Sequence, residues 1–438
     1  MHQALTIQTH ANGQWHDALE LSLSNPGSIA DVRMTASYKT TYLGEFVEAT
    51  DSIFEYAVSV NLPVSWNPVD SKGLPAFVYD IIPAGHAKRS LLKRFHDEKP
   101  DGVDTDWFLL GRCTPSAIGN LRVKESAEAL ENTGSEAFAR QDIVERSNDF
   151  LEYAYEAGAA LGGATGAQGE APKLLLVEGC DGQFYADAML DDKLAQAHWL
   201  VKFARNKVTE NDKNILRAEY HYYNAVARLG LSTVPTVGLS LEEAEKPSLW
   251  MPRFDRFVRA GGVERIPVES VYSLLGNTEP GARLQHEVVL ARLIELWCAS
   301  GQDTEVPELI FEYIRRDLLN RILGNSDNHG RNIAVFRHAG RFDLAPIYDL
   351  APMVLDAEGI TRATKWEAEK RGSPAWREAC AKFARWYAPD ELYERIREAA
   401  REFRALPDML VQMPLDVRQN ERLPVNDLDK HLRQWELL

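Results

Sequence analysis

The chain has 438 residues, 45% of them hydrophobic and 26% charged, and its 49 Lys and Arg against 65 Asp and Glu leave a net charge of −16. That length and composition suit a globular protein of two or three domains, and the acidic balance disfavours a protein whose main task is gripping nucleic acid. No apolar run approaches the roughly 18 residues of a membrane-spanning helix, no basic flank precedes an apolar stretch at the N-terminus, and Cys113, Cys180, Cys298 and Cys380 form no CxxC pair, so the sequence predicts a cytoplasmic chain with reduced thiols and no metal cluster.

Residues 1–150 read as a mixed α/β domain. Strands are expected over Ala4–Thr9 and Phe54–Val60, and Pro63, Pro68 and Pro75 punctuate the next stretch. A helix over Ala87–Phe95 turns Lys88, Arg89, Lys93 and Arg94 outward. Residues 151–257 begin with a glycine-rich segment at 162–169 and continue as a small antiparallel sheet. Its strands are Lys173–Val177 and His198–Ala204, with a turn at Asp181-Gly182, then a pair through Thr236–Leu241 and Leu249–Phe254. Between them lies one helix, Asn214–Leu229, closed by Gly230. Residues 258–438 are mainly helical, apart from short strands near Asn332–Phe336 and Arg341–Leu344.

Several residues stand out against this background. Glycines in Gly162–Gly169 would let backbone N–H groups approach a phosphate closely, but neither Gly-Lys-Ser/Thr nor GxGxxG is present, and a linker is the simpler alternative. Lys202 lies inside an apolar strand whose alternation sets Trp199, Val201 and Phe203 on one face and Lys202 with Leu200 on the other. A buried lysine there needs an anionic partner, whereas an edge strand would leave it solvated. Glu219 shares the helical stripe of Ile215, Tyr222 and Val226, so it points at the sheet and can pair with Lys202.

The strongest signal is Asn325-Ser326-Asp327-Asn328-His329-Gly330-Arg331-Asn332, just after a helix marked by Ile310, Ile314, Leu318 and Ile322 and stopped by Gly324. An Asp-x4-Asn loop can divide two tasks: Asp327 orients or deprotonates a hydroxyl, and the Asn332 amide oxygen ligates Mg²⁺. His329 could stiffen the loop. Asp349 would complete a hard-oxygen site, with Asp343 as competitor and a helix cap as its simpler role.

Glycine loop, strand lysine, helix glutamate, Asp-x4-Asn and a final Asp follow the order of parts in a protein-kinase-like phosphoryl transferase. The expected fold class is therefore α+β: a two-lobed, kinase-like arrangement preceded by a mixed α/β domain. The spellings resemble the HipA-like kinases. Arg253-Phe254-Asp255-Arg256 resembles their RFDR signature, Asn325–Asn332 their N-x-D-x-H-x-x-N loop, and Leu344–Leu350 their LAP-x-YDL segment. Gly166-Ala167-Gln168 with Pro172-Lys173 is similar to their GAQ…PK loop, and Leu74–Phe77 through Ile82–Gly85 to an element of their N-terminal domain.

The resemblance implies a serine/threonine kinase acting as the toxin of a bacterial toxin–antitoxin pair, with ATP and Mg²⁺ as cofactors. It implies Asp327 as catalytic base, Asn332 and Asp349 as metal ligands, and Lys202 on the ATP phosphates. Met251, Pro252, Arg253 and Phe254 would form the hinge beside adenine, with Gly166, Ala167, Gln168, Lys173, His329 and Tyr348 also lining the nucleotide. The implied partners are a protein substrate, an aminoacyl-tRNA synthetase in the best-known case, and a HipB-like helix-turn-helix antitoxin that contacts operator DNA; no membrane is implied. The chain departs from the family in its longer glycine loop, which holds no serine, so Thr165 becomes the candidate for autophosphorylation. A small-molecule phosphotransferase of the same fold and an inactive antitoxin-binding scaffold are the competing readings.

Overall fold

The computed structural model describes residues 3–24, 27, 32–131, 134–146, 154, 172–205, 208–370 and 372–438. Strands β1 (Ala4–Ala11) and β2 (Gln14–Leu23) are joined by Asn12-Gly13, both at positive φ, the backbone a tight two-residue hairpin requires. With β3 (Arg33–Tyr38), β4 (Val69–Lys72) and β5 (Leu121–Val123) they form an antiparallel sheet in the order β4-β3-β2-β1-β5. Helix α1 (Gly85–Arg94) buries Ala87 and Leu91, and its Lys88 pairs with Asp106 of α2 (Thr105–Arg112). Asp104 caps α2 by accepting from two of its first backbone N–H groups.

The second sheet contains β6 (Lys173–Gly179), β7 (Phe184–Ala186), β8 (Ala195–Phe203), β9 (Ser240–Glu242) and β10 (Ser248–Pro252) in the order β7-β6-β8-β10-β9. Lys202 thus sits on the central strand, not on an edge. The alternation along β8 has the expected consequence. Trp199, Val201 and Phe203 join the apolar core shared with the first sheet, while Leu200 packs on the core of the helical half. Helix α3 (Glu210–Arg228) crosses that second face. It starts four residues before the expected Asn214, because Thr209 and Asp212 form a capping box ahead of the apolar stripe.

Next come the hairpin β11 (Arg256–Arg259) and β12 (Gly262–Arg265), then β13 (Val268–Ser270) and β14 (Leu284–Gln285). The helical half is built on α4 (His286–Ala299) and α5 (Val306–Ile322), with β15 (Ala334–His338) and β16 (Arg341–Leu344) beside β13, and α6 (Pro389–Phe403) and α7 (Leu428–Gln434) beyond. Among the described residues no helix is long and apolar enough to cross a membrane.

Three expectations are corrected. Phe54–Val60 is a run of turns, not a strand. Arg337 gathers it: its Nη1 donates to the carbonyls of Ile53 and Phe54 at 2.8 Å, and its Nη2 to that of Ala57 at 3.2 Å. Strand carbonyls alternate in direction and cannot converge on one guanidinium. Of Thr236–Leu241 only its end is strand, since Gly238 turns at φ +88° beneath Pro252 and Trp199. The strand expected to reach Phe254 stops at Pro252, where buried polar contacts of Arg253 take over. The segment 162–169, with Thr165, Gly166, Ala167 and Gln168, lies outside the described residues.

Arg337 is 1% exposed, and its Nε lies 2.9 Å from Glu269, which accepts from Ser59 Oγ at 2.6 Å and Val60 N–H at 3.0 Å. Arg337→Ala strands that buried carboxylate and should destabilise the fold by about 3–5 kcal/mol. Urea unfolding measures this, and a midpoint equal to the parent's would contradict it.

Candidate active site

A cleft of about 860 Å³ lies between the second sheet and the helical half. Lys173 of β6 and Lys202 of β8 are register partners, so both ammonium groups reach its floor from one face of the sheet. Lys202 Nζ donates to Glu219 Oε2 and to Asp349 Oδ1, each at 2.6 Å, and Lys173 Nζ donates to Asp349 Oδ2 at 3.0 Å. Glu219 Oε1 accepts from Tyr223 at 2.9 Å, and the Tyr223 oxygen accepts the Leu350 N–H at 3.3 Å. The network therefore ties the sheet, α3 and the Asp349 segment together.

Electrostatics distinguish the two lysines. Burial lowers both, but two carboxylates flank Lys202 and raise it above its ordinary value. Lys173 has one adjacent carboxylate and a neighbouring ammonium, and burial leaves it lowered. Burial alone would raise Asp349, yet Lys173 and Lys202 outweigh it and hold that carboxyl well below the usual range. Asp349 also sits at φ +52°, a left-handed backbone that is costly outside glycine and recurs at functional positions. It does not cap the next 3₁₀ turn, which Pro352 begins. Asp343 is exposed and paired with Arg341 at 3.1 Å.

The Asp327 loop is built from the end of α5. Gly324 turns at φ +67°, and a Cβ there would meet Leu423 at 2.5 Å and Val354 at 2.9 Å. Asn325 donates to Asn320 Oδ1 at 2.8 Å and to the Asp349 carbonyl at 3.3 Å, and accepts the Asp327 N–H at 3.2 Å. Asn332 Nδ2 donates to the Asp327 carbonyl at 2.8 Å. His329 stacks on Tyr272 and accepts the Arg331 N–H at 3.2 Å, and burial pushes it down to about 4, so it is neutral near pH 7. Burial, aided by the charge of Asp349, pushes the Asp327 carboxyl up to about 7. A group poised near the working pH suits general base chemistry.

Asn332 Oδ1 is buried without a hydrogen-bond partner among the described residues. Such an orphaned acceptor, with anionic Asp349 on the same loop framework, fits a hard cation. No group of three His, Cys, Asp or Glu side chains among the described residues could hold a metal. Water and phosphate would thus supply the other ligands, as Mg²⁺ favours.

Leu200, Met251, Pro252, Phe254 and Tyr348 line the cleft with the two lysines. Asn332 instead lines a smaller adjoining cavity of about 490 Å³. The Arg253 guanidinium is 1% exposed and taken up by Asp187 at 3.0 Å, Asp255 at 2.7 Å and the Ala117 carbonyl at 2.8 Å. Sequence reasoning missed Tyr223, although its place one turn after Glu219 on α3 was a usable signal. It also missed Arg205, which pairs with Asp356 at 3.2 Å and whose charge reaches Asp327. Asp80 and Ile118, on the same cleft wall, carried no local signal.

The model of the HipA-like C-terminal domain family matches residues 162–407. Among solved structures, HipA of the Shewanella oneidensis MR-1 toxin–antitoxin system, determined with HipB and operator DNA, aligns with 99% of this chain and 96% of its own at 16% identity and a TM-score of 0.64. The Helicobacter pylori proinflammatory kinase CtkA aligns with 64% of this chain and 92% of its own at 14% identity and a TM-score of 0.38. Comparison with curated protein sequences finds no match.

A carboxyl raised from 3.8 to about 7 on folding holds a proton that the unfolded chain has already released. Its contribution to stability is therefore lost as pH rises through that window. Asp327→Asn removes the cost of ionising it, so the variant should melt above the parent at pH 8, with the gap shrinking toward pH 5. A variant melting below the parent at pH 8 would contradict the assigned shift.

Proposed function

The chain belongs to the HipA-like C-terminal domain family, and from that premise we propose that it is an ATP-dependent serine/threonine protein kinase of the HipA toxin type. The supporting observation is the buried Lys202 ammonium shared by Glu219 and Asp349 on the cleft floor. Such a lysine is a phosphate ligand held ready, and the glutamate keeps it charged and aimed. On this reading the domains are 1–150, a sheet lobe at 151–257 and a helical lobe at 258–438.

The chain's own groups would act as follows. Lys202 and Lys173 bind the ATP phosphates, and Gly166, Ala167 and Gln168 are proposed to add to them. Met251, Pro252, Arg253 and Phe254 lie beside the base, with His329 and Tyr348 completing the pocket. Asp327 takes the proton of a serine or threonine hydroxyl. The hydroxyl oxygen bonds to the γ-phosphorus as the bond to the β,γ-bridging oxygen breaks, and ADP leaves. Asp349 and Asn332 would hold Mg²⁺, which neutralises phosphate charge when bound.

The proposed substrate is a cellular protein, an aminoacyl-tRNA synthetase by family analogy, and its modification would halt translation. The net charge of −16 suits a basic HipB-like antitoxin as partner, with operator DNA contacted through it. Thr165 is the proposed site of self-modification, where about two added negative charges would repel ATP.

Asp327→Ala should lower γ-phosphoryl transfer by about 10²–10⁴-fold and relieve growth arrest, and Asp349→Ala should remove the Mg²⁺-dependent activity as well. Radiolabelled ATP and phosphoproteomics of expressing cells measure both. Parent-like transfer by either variant would overturn these roles, and mass spectrometry finding no phosphate on Thr165 would remove that assignment.

A further inference from the structure

The cleft has a wall that neither kinase lobe provides. Ile118 and Asp80, both from the first 150 residues, line it beside Val268 and Ser270. The turn carrying Ile118 is gripped by charged side chains of the Arg253–Arg256 segment. Arg253 and Arg256 each donate to the Ala117 carbonyl at 2.8 Å, Arg256 donates to the Gly119 carbonyl at 2.6 Å, and Asp255 accepts the Gly119 N–H at 2.7 Å. All three side chains are 1% exposed. Gly119 turns at φ +88°, and a Cβ there would press on the Val268 nitrogen at 3.1 Å, so the turn lies directly against the cleft wall. Ile118, held between two anchored residues, is half-buried and faces the cleft.

Asp80 is anchored just as firmly. Its carboxylate accepts from Ser270 N–H at 2.9 Å and Ser270 Oγ at 2.7 Å, and Arg331 Nε lies 3.9 Å from it. The Arg331 side chain is 3% exposed, and its Nε and Nη2 have no hydrogen-bond acceptor among the described residues. A buried guanidinium with two N–H groups unmatched on a cleft wall is costly unless a ligand supplies acceptors.

We propose that the N-terminal domain is part of the nucleotide site. Ile118 packs against the nucleoside, and Arg331, steadied by Asp80, donates hydrogen bonds to acceptor atoms of its base or sugar. The phosphate end, at Lys173, Lys202 and Asp349, does not involve this wall. The ligand class is a purine nucleoside triphosphate, which rests on the kinase reading above.

The test compares Mg²⁺–ATP with Mg²⁺–tripolyphosphate, which has phosphates and no nucleoside. Calorimetric titration of the full chain should show Ile118→Ala weakening ATP roughly fivefold or more while tripolyphosphate affinity is unchanged. Hydrogen exchange of the unmodified chain should show residues 78–82 and 116–120 protected by ATP and not by tripolyphosphate. Parent that binds neither probe would sink the nucleotide reading itself. Parent that binds ATP, with Ile118→Ala equal for ATP or weakened equally for both probes, would overturn the inference. So would a lack of ATP-specific protection in these segments, a measurement that stands even where the variant folds poorly.

Discussion

A single ammonium, Lys202 Nζ, sits between Glu219 and Asp349 in the middle of the molecule. Removing three charges from water costs several kcal/mol per ion, and that cost is offset only when geometry and further hydrogen bonds are good. The fold meets this condition from three directions. The central strand presents Lys202, a capped helix presents Glu219 one turn before Tyr223, and a left-handed residue presents Asp349. Losing any one partner would leave an uncompensated buried charge.

The same logic governs how the first sheet is joined to the second. It shares an apolar core with one face of the second sheet through Trp199, Val201 and Phe203. Buried cations then fix the relative placement. Arg337 and Glu269 wrap residues 53–60, and the Arg253–Arg256 segment grips the turn at 117–119. A charged group satisfied by backbone carbonyls has steep positional requirements, so these contacts specify one arrangement where apolar packing would tolerate several. The Arg253–Arg256 signature, which overlaps the expected adenine hinge only at Arg253 and Phe254, thus has polar residues that anchor the turn at 117–119, while its Phe254 faces the cleft.

How much of the molecule is legible in its sequence depends on the range of each physical signal. Period-two alternation in β8 and the helical stripe of α3 are local, so the Lys202–Glu219 pair can be read from the residues alone. The glycine stop after α5 and the Asp327–Asn332 loop are equally legible, since φ +67° at Gly324 and a polar loop after a buried helix are encoded within a few residues. The turns over 54–60 are not, because their conformation is dictated by Arg337, far away in the chain. Apolar residues there merely imitate a strand. Thr209 escapes notice as a helix start because the stripe begins only at Ile215. Asp80 and Ile118 reach the cleft through contacts whose partners lie more than 100 residues away in the chain, and no local pattern announces such a placement.

In the proposed function the Lys202–Glu219–Asp349 network is a nucleotide phosphate site. Isothermal titration of Mg²⁺–ATP into the parent and into Lys202→Met, with circular dichroism to verify folding, tests it most directly. Saturable binding by the parent and a loss of about tenfold or more in the folded variant are expected. A parent that takes up no nucleotide, or a folded Lys202→Met that binds it as tightly as the parent, would contradict this role.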